Sequence, residues 1–143
     1  MKTVKQILET KGYDIWAIGP EATVYDALKL MADKNVGALP VVEKDLLVGI
    51  FSERDYARKV ILQGKYSKDT LVREIMTDRP ICIRPDNNID ECMSLMTDNH
   101  VRHLPVVSGE RLLGVISIGD VVKGIIMEQQ HTISHLEKFI TGR

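Results

Sequence analysis

The chain has 143 residues, of which 44% are hydrophobic and 5% aromatic, and its formal net charge at pH 7 is −1. A charge so close to zero gives no general attraction to nucleic acid or to an anionic membrane, so any anion must be bound by a local cluster of side chains. The sequence shows neither the apolar core of a signal peptide nor a run of ~18 apolar residues, which predicts a cytoplasmic protein. Cys82 and Cys92 have no C-x-x-C spacing and are expected to be buried thiols in a reducing compartment.

An internal repeat organises the chain. Residues 18–60 recur at 83–125, and the best-matched segments are Leu39-Pro40-Val41-Val42 with Leu104-Pro105-Val106-Val107. Two copies are too few for a stacked repeat array, and a half of roughly 60 residues is marginal when it folds alone. We therefore predict two repeats, 1–65 and 66–143, that share one core.

The pattern of each repeat predicts the order strand, helix, strand, strand, helix, and hence an α+β fold. Thr23 and Asn88 are typical helix N-caps, and the apolar residues after them follow helical spacing as far as residues 35 and 100. Short apolar segments precede the caps, β-branched hairpins follow the helices, and second helices close the repeats. The predicted ranges are 16–18, 38–42, 46–51 and 53–62 in the first repeat, and 81–83, 103–107, 112–116 and 118–138 in the second. Amphipathic turns at 3–8 and 70–76 precede the two repeats, and 63–69 is a polar linker.

The turn into each closing helix carries the residues of greatest chemical interest. Ser52 and Asp55 recur as Ser117 and Asp120, each serine at the point where a helix begins. Helix N-termini attract phosphate, and an acid one turn later can accept hydrogen bonds from both hydroxyls of a ribose. Ordinary N-capping explains the same residues, but their joint recurrence among divergent neighbours favours a nucleotide site.

These motifs resemble a tandem pair of cystathionine-β-synthase-type (CBS) domains, the Bateman module. The resemblance covers roughly residues 4–125 and includes the h-P-V-V strands, the paired G-h-h-S-x-x-D turns and the entry segment Val72–Thr77. It implies two pseudo-twofold-related β-α-β-β-α repeats that pack sheet to sheet. It also implies two clefts that bind adenosyl ligands such as AMP, ADP, ATP, NAD or S-adenosylmethionine, and association into a homodimer.

Transfer of the family's contacts predicts a first cleft in which Asp55 holds the ribose while Ser52 and Arg54 hold the phosphate. Thr77, Ile81 and Cys82 would border the adenine, and the second repeat would add Arg102 and His103. Arg102 and His103 could instead form only an exposed strand edge.

A second cleft would use Ser117, Asp120, Ala38 and Trp16, with Tyr13 as the alternative stacking residue. Gly119 stands where the first repeat has Arg54, so we expect the Asp55 cleft to bind tightly and the Asp120 cleft to be weak or empty. His131 and His135 have the spacing of metal ligands, but without an apparent third ligand we expect a solvated helix face and no metal site.

The sequence shows no apparent nucleophile paired with a base, no motif of metal ligands and no Walker-type phosphate-binding loop, so we expect no enzyme activity. The first hypothesis is a regulatory sensor whose bound adenine nucleotide acts in trans on an unidentified partner, or through the protein's own dimer. The second is a structural or protein-interaction module with vestigial clefts that docks through the helix beginning at Ile118. Thermal-shift measurements with adenosyl ligands distinguish the two, because binding to the native state raises its stability.

Overall fold

A computed structural model describes residues 2–142, and its elements follow the predicted repeat. Thr23 and Asn88 cap helices that end at Lys34 and Asn99, as predicted. The elements in chain order are α1 (Val4–Lys11), α2 (Val24–Lys34), β1 (Ala38–Glu43), β2 (Leu46–Ser52), α3 (Glu53–Tyr56), a π-helical turn (Ala57–Ile61), α4 (Val72–Ile75), β3 (Thr77–Asp78), α5 (Ile89–Asn99), β4 (His103–Ser108), β5 (Arg111–Ser117) and α6 (Ile118–Thr141).

The two antiparallel hairpins share one register. Ala38 lies opposite Ser52 in the β1–β2 hairpin, and His103 lies opposite Ser117 in the β4–β5 hairpin. Both ladders shift by one residue at the matching place, between Val41 and Val42 and between Val106 and Val107. Because the register is conserved between the repeats, the first residue of each hairpin lies beside the serine that begins the next helix.

The first strand of each repeat is shorter than predicted. Ile18 and Ile83 each form a single parallel bridge, to Val41 and to Val106, instead of a strand of three residues. Two backbone hydrogen bonds support each bridge, and Pro20 or Pro85 follows two residues later. Proline has no backbone N–H to donate, so the ladder cannot continue past it.

The closing helix of the first repeat also differs from a regular α-helix. It is α-helical only over Glu53–Tyr56 and continues as a π-helical turn over Ala57–Ile61, with Leu62 N donating to Ala57 O at 3.1 Å. The overall end near Leu62 agrees with the prediction. In the second repeat the closing helix is regular and extends to Thr141, three residues beyond the expected end.

The structure has two hydrophobic cores, one in each repeat, instead of the single shared core that the sequence predicts, and the two cores exchange their entry helices. Buried Val4, Ile7 and Leu8 of α1 belong to the core of the second repeat, whereas Val72 and Ile75 of α4 belong to the core of the first. The backbone confirms this crossing, because Val4 N donates to Asn87 O and Val24 N to Thr70 O, both at 2.8 Å. The packing of the core therefore crosses the sequence boundary at residue 65, and each repeat is completed by a segment from the other.

Helix α6 continues beyond this core. Val121 and Gly124 are buried, whereas every residue from His131 to Ile140 is exposed, including Phe139 at 84% and Ile140 at 80%. Within residues 2–142, no helix combines the length and apolar character needed to cross a membrane.

Candidate functional site

Each serine-to-aspartate turn is a reciprocal cap. Asp55 N donates to Ser52 Oγ at 3.1 Å and Ser52 N donates to Asp55 Oδ2 at 2.9 Å, and the corresponding distances for Ser117 and Asp120 are 3.1 and 2.8 Å. The capping role considered from the sequence is therefore real. It fixes each carboxylate at the start of its helix, beside the seam between the repeats.

The first cleft brings Ser52, Asp55 and Thr77 together. Thr77 Oγ1 donates to Asp55 Oδ1 at 3.4 Å, and Lys59 Nζ lies 3.1 Å from the same oxygen. Thr77 reaches this position because β3 pairs with β2, with Ile50 opposite Thr77. Both oxygens of Asp55 are thus engaged by the protein's own groups.

Arg54 does not contact this carboxylate cluster in the structure. Its Nη1 donates at 2.8 Å to the carbonyl oxygen of His100, the C-cap residue that follows α5. A cation is favourable at a helix C-terminus, where the backbone dipole is negative. Arg54 therefore joins the first repeat to α5 of the second.

The remaining residues predicted for the first cleft have different surroundings. Ile81 is half-buried and packs on the second core, and Cys82 Sγ donates to Pro80 O at 3.4 Å, with its thiol pKa raised by burial. Arg102 has an exposed side chain, and its carbonyl accepts a hydrogen bond from Ile118 N. The side chain of Arg102 is thus on the surface, as in the strand-edge alternative.

The second cleft contains a cavity of about 440 Å³. It brings together Trp16, Ala38, Ser117 and Asp120, the four residues that the sequence analysis places in this cleft. Residues from both repeats line it: Lys11, Gly12, Asp14, Ile15, Trp16, Asn35, Val36, Gly37, Ala38, Pro40, His103, Val115, Ser117 and Asp120.

His103 lies on the wall of this cavity, whereas the sequence analysis grouped it with Asp55. The reason is the hairpin register, which pairs His103 with Ser117 of its own repeat. Its ring also lies against the first repeat, with Cε1 and Nε2 both 3.2 Å from where a Cβ on Gly37 would stand. Burial, with smaller contributions from Lys11 and Arg102, lowers the pKa of His103 despite the opposing effect of Asp120. A neutral imidazole can both donate and accept hydrogen bonds.

Trp16 supplies the aromatic wall of the cavity. Its side chain is 38% exposed, and Lys34 Nζ lies 4.2 Å from the ring centroid, which is a cation–π contact. Tyr13, the alternative stacking residue, is 54% exposed and is not among the residues that line the cavity. Of the two candidate stacking residues, Trp16 is thus the one that borders the cavity.

Lys11 is the cavity residue that sequence reasoning missed. Its Nζ lies 2.7 Å from Asp120 Oδ2 and donates to Val115 O at 2.5 Å. Burial by itself would raise the pKa of Asp120, but the bonds from Lys11 and Ser117 together hold it below its usual value. One signal was available, because the offset that aligns Val4 with Val72 also aligns Lys11 with Arg79, so each entry segment carries a cation at the same place.

A larger and more open concavity, of about 710 Å³, lies on the outer face of the first repeat. Tyr25, Tyr56 and Tyr66 line it, and Lys68 Nζ lies 4.9 Å from the centroid of the Tyr25 ring. None of the residues predicted for the clefts borders it. The smaller cavity at the seam, which contains the recurring serine and aspartate, is therefore the candidate site.

The paired histidines on α6 are stacked and exposed, with ring centroids 6.5 Å apart for His131 and His135. Across residues 2–142, the structure places no group of three or more His, Cys, Asp or Glu side chains where they could hold a metal ion.

Comparisons with known proteins agree with this architecture. The family model of the CBS domain matches residues 4–62 and 72–127. The chain is 41% identical to the mitochondrial CBS domain-containing protein CBSX3 of Arabidopsis thaliana, over 98% of this chain and 72% of that protein. A solved structure of a candidate signal-transduction protein with CBS domains from Burkholderia ambifaria MC40-6 superposes with a TM-score of 0.85 and 51% identity, covering 90% of this chain and 96% of that one. The structure of CBSX2 in complex with AMP superposes with a TM-score of 0.71 and 28% identity, covering 90% and 99% of the two chains.

Proposed function

Because the chain belongs to the CBS-domain family, we propose that it is a regulatory module that binds an adenine nucleotide between its repeats and has no catalysis of its own. The observation that carries this proposal is the cavity at the seam, where Ser117, Asp120, His103 and Trp16 converge. The bound AMP of the similar CBSX2 supports the ligand class.

The chemistry of the cavity suits each part of a nucleotide. A volume of about 440 Å³ falls within the usual range of small-molecule sites. Asp120 offers carboxylate oxygens to the ribose hydroxyls, Trp16 a flat apolar face to the adenine, and Ser117 a hydroxyl at the start of α6. AMP, ADP, ATP and NAD all contain the adenosine that these groups would recognise.

The relative affinity of the two clefts for a nucleotide is part of the proposal. The sequence predicts tighter binding beside Asp55, where Arg54 is available for the phosphate, whereas the position of the cavity favours Asp120. In the first cleft, a ligand would have to displace both Thr77 and Lys59 from Asp55 and draw Arg54 away from His100, whereas in the second it would have to displace Lys11 from Asp120. We therefore propose that the first ligand to bind occupies the second cleft, where Asp120 binds its ribose.

A regulatory module acts on a partner or on its own assembly. Helix α6 favours a second copy of this chain as that partner, because Val122, Ile126, Ile133, Leu136 and Ile140 are all exposed and recur at the alternating four- and three-residue spacing of a coiled coil. Gln129 occupies the remaining position of this spacing, between Ile126 and Ile133, and the six residues together form the apolar seam of α6.

The charges on α6 favour an antiparallel pair. Lys123 and Glu137 flank the apolar seam near its opposite ends and are both exposed. When two such helices run antiparallel, Lys123 of each copy lies near Glu137 of the other, whereas in a parallel pair these two residues are separated by about 21 Å along the helices. The same surface supports the alternative function, in which the protein is an interaction module and its clefts are vestigial.

Calorimetric titration of the chain with AMP, ATP, NAD and S-adenosylmethionine tests the proposal. The sensor function predicts saturable binding of at least one of these, and loss of that binding in the Asp55→Asn, Asp120→Asn double variant. Each single variant then shows which cleft is occupied. Absence of binding to all four at millimolar concentration would reject the sensor and leave the interaction module.

The compartment, expected from the sequence to be the cytoplasm, stays a prediction, since the similar CBSX3 is mitochondrial.

A further inference from the structure

The positively charged side chain of the Asp120 cleft does not belong to the G-h-h-S-x-x-D motif that carries Ser117 and Asp120. In the first repeat Arg54 lies within the serine-to-aspartate turn, but the matching position of the second repeat is Gly119. Lys11 supplies the positive charge instead, from the last turn of α1. Helix α1 is anchored by buried Val4, Ile7 and Leu8, so the base of the Lys11 side chain is held while its ammonium group extends into the cavity.

The charges around the cavity make this lysine necessary for an anionic ligand. Among the lining residues, all of which lie within the described part of the chain, Lys11 is the only Lys or Arg, whereas Asp14 and Asp120 are both carboxylates. A phosphate monoester adds roughly −1.5 to −2 of charge at neutral pH. Without Lys11, that phosphate would enter beside two carboxylates with no lining lysine or arginine to offset them.

The contacts of Lys11 also show what a ligand would change. Its ammonium bonds to Asp120 Oδ2, the oxygen that also accepts from Ser117 N, and to Val115 O. Ribose hydroxyls that donate to Asp120 would compete with the ammonium for this carboxylate. Lysine carries three donors on a flexible four-carbon stem, so its ammonium group can move to a nearby phosphate while its backbone stays in place.

We propose that Lys11 is the phosphate-binding residue of the Asp120 cleft and makes this cleft selective for adenosine ligands that carry a 5′-phosphate over adenosine itself. On binding, the ammonium group leaves Asp120 to the ribose hydroxyls and pairs with the phosphate. This inference rests on the proposed nucleotide-binding function and adds the ligand class and the residue that selects it.

Calorimetry with two probes, AMP and adenosine, tests the inference. Every chain in this test carries Asp55→Asn, so that the measured binding belongs to the Asp120 cleft. We expect Lys11→Met to weaken AMP binding by about 10- to 100-fold, the usual effect of losing a charge-assisted hydrogen bond. Adenosine binding should stay the same or become tighter, because Asp120 is no longer paired.

Three further variants serve as controls. Lys11→Arg keeps the charge and should keep most of the preference for AMP. Lys5→Met removes an exposed lysine from the same helix and should change neither affinity. Lys34→Met tests the cation held over Trp16, and should affect both ligands equally if it acts only through the ring. A cooperative unfolding transition with a midpoint well above the temperature of the titration shows that each variant remains folded.

The outcomes separate this inference from the proposed function. If the Lys11→Met chain binds AMP as tightly as its parent, or loses AMP and adenosine equally, the role of Lys11 is wrong while nucleotide binding stands. If the unmodified chain binds AMP but the Asp55→Asn chain does not, the site is the other cleft and the inference is again wrong. If the unmodified chain binds neither probe nor any other adenosyl ligand, the proposed function and the inference both fail.

Discussion

The Cδ2 atom of Leu8 lies 3.1 Å from the position that a Cβ atom on Gly114 would occupy. Leu8 belongs to the first helix of the chain and Gly114 to the third strand of the second repeat. The matching contact in the other repeat joins Gly49 to Met76, whose Sδ lies 2.7 Å from the equivalent position. The glycine of each G-h-h-S-x-x-D motif therefore makes room for an entry segment that crosses from the other repeat.

Alanine substitutions at these two glycines should have unequal costs. At Gly49 the new methyl group would meet both Met76 Sδ and the backbone oxygen of Thr77, the latter at 2.9 Å. Backbone cannot shift as cheaply as a side-chain methyl, so Gly49→Ala should destabilise the protein by about 1–3 kcal/mol and Gly114→Ala by less. Urea unfolding of both variants measures the difference. A larger loss for Gly114→Ala would contradict the assignment of these contacts.

The exchange of entry helices predicts that α1 stabilises the second repeat. Leu8 is 1% exposed in that core, so Leu8→Ala should lower the free energy of unfolding by about 2–5 kcal/mol. Leu62→Ala is the matched control, because Leu62 is 74% exposed and its removal should change stability by less than about 0.5 kcal/mol. Similar effects of the two substitutions, measured by thermal or urea unfolding, would show that α1 is only loosely attached.

The sequence is sufficient to predict those features that local chemistry determines. Thr23 and Asn88 accept hydrogen bonds from backbone groups three residues away, and the hairpins need only adjacent β-branched strands. Such signals lie within a few residues of one another, so the sequence pattern is enough to predict the helices and the hairpins.

The features that sequence reasoning missed depend on which segments meet in space. The alignment of Lys11 with Arg79 shows a cation at the same place in both entry segments, but it does not indicate a contact with Asp120, because that contact requires α1 to pack on the second core. The position of His103 likewise follows from the strand register and from the packing of its ring against Gly37.

The Lys11–Asp120 pair predicts a pH-dependent contribution to stability. The pKa of Asp120 is lower in the folded protein than its ordinary value. A depressed carboxyl pKa stabilises the native state at pH values above the unfolded pKa of about 3.9, and this contribution is lost as the pH falls through the folded pKa. The stability difference between the parent chain and Asp120→Asn, measured without ligand, should therefore shrink as the pH is lowered from neutral to about 3. In a chain that already carries Lys11→Met, the stability lost on Asp120→Asn substitution at neutral pH should be smaller. A difference independent of pH would contradict an ionised, paired Asp120.

The two cysteines should react at different rates. Burial raises the pKa of Cys92 to about 11, with Glu91 adding to the shift, and its side chain is fully buried. Cys82 is half-buried and its pKa is also raised. Because the thiolate is the reactive form and needs access to the reagent, iodoacetamide at about pH 8 should modify Cys82 first, and Cys92 only when the protein unfolds. Mass spectrometry of the folded protein over time measures the order. Equal rates would mean that the core around Cys92 opens readily.

The exposed seam of α6 predicts a dimer that single charges can disrupt. Ile133 is 55% exposed at the centre of the seam, so Ile133→Lys should convert a dimer to a monomer in sedimentation or light-scattering measurements. Ser134→Lys adds the same charge one residue away from the seam and should leave the assembly unchanged. Lys123→Glu tests the orientation, because it places like charges near Glu137 of the second copy only when the helices run antiparallel. The exchange of both residues, Lys123→Glu with Glu137→Lys, should then restore association. A parent chain that is monomeric at high concentration, or a charge exchange that fails to rescue the single variant, would rule out this pairing of α6.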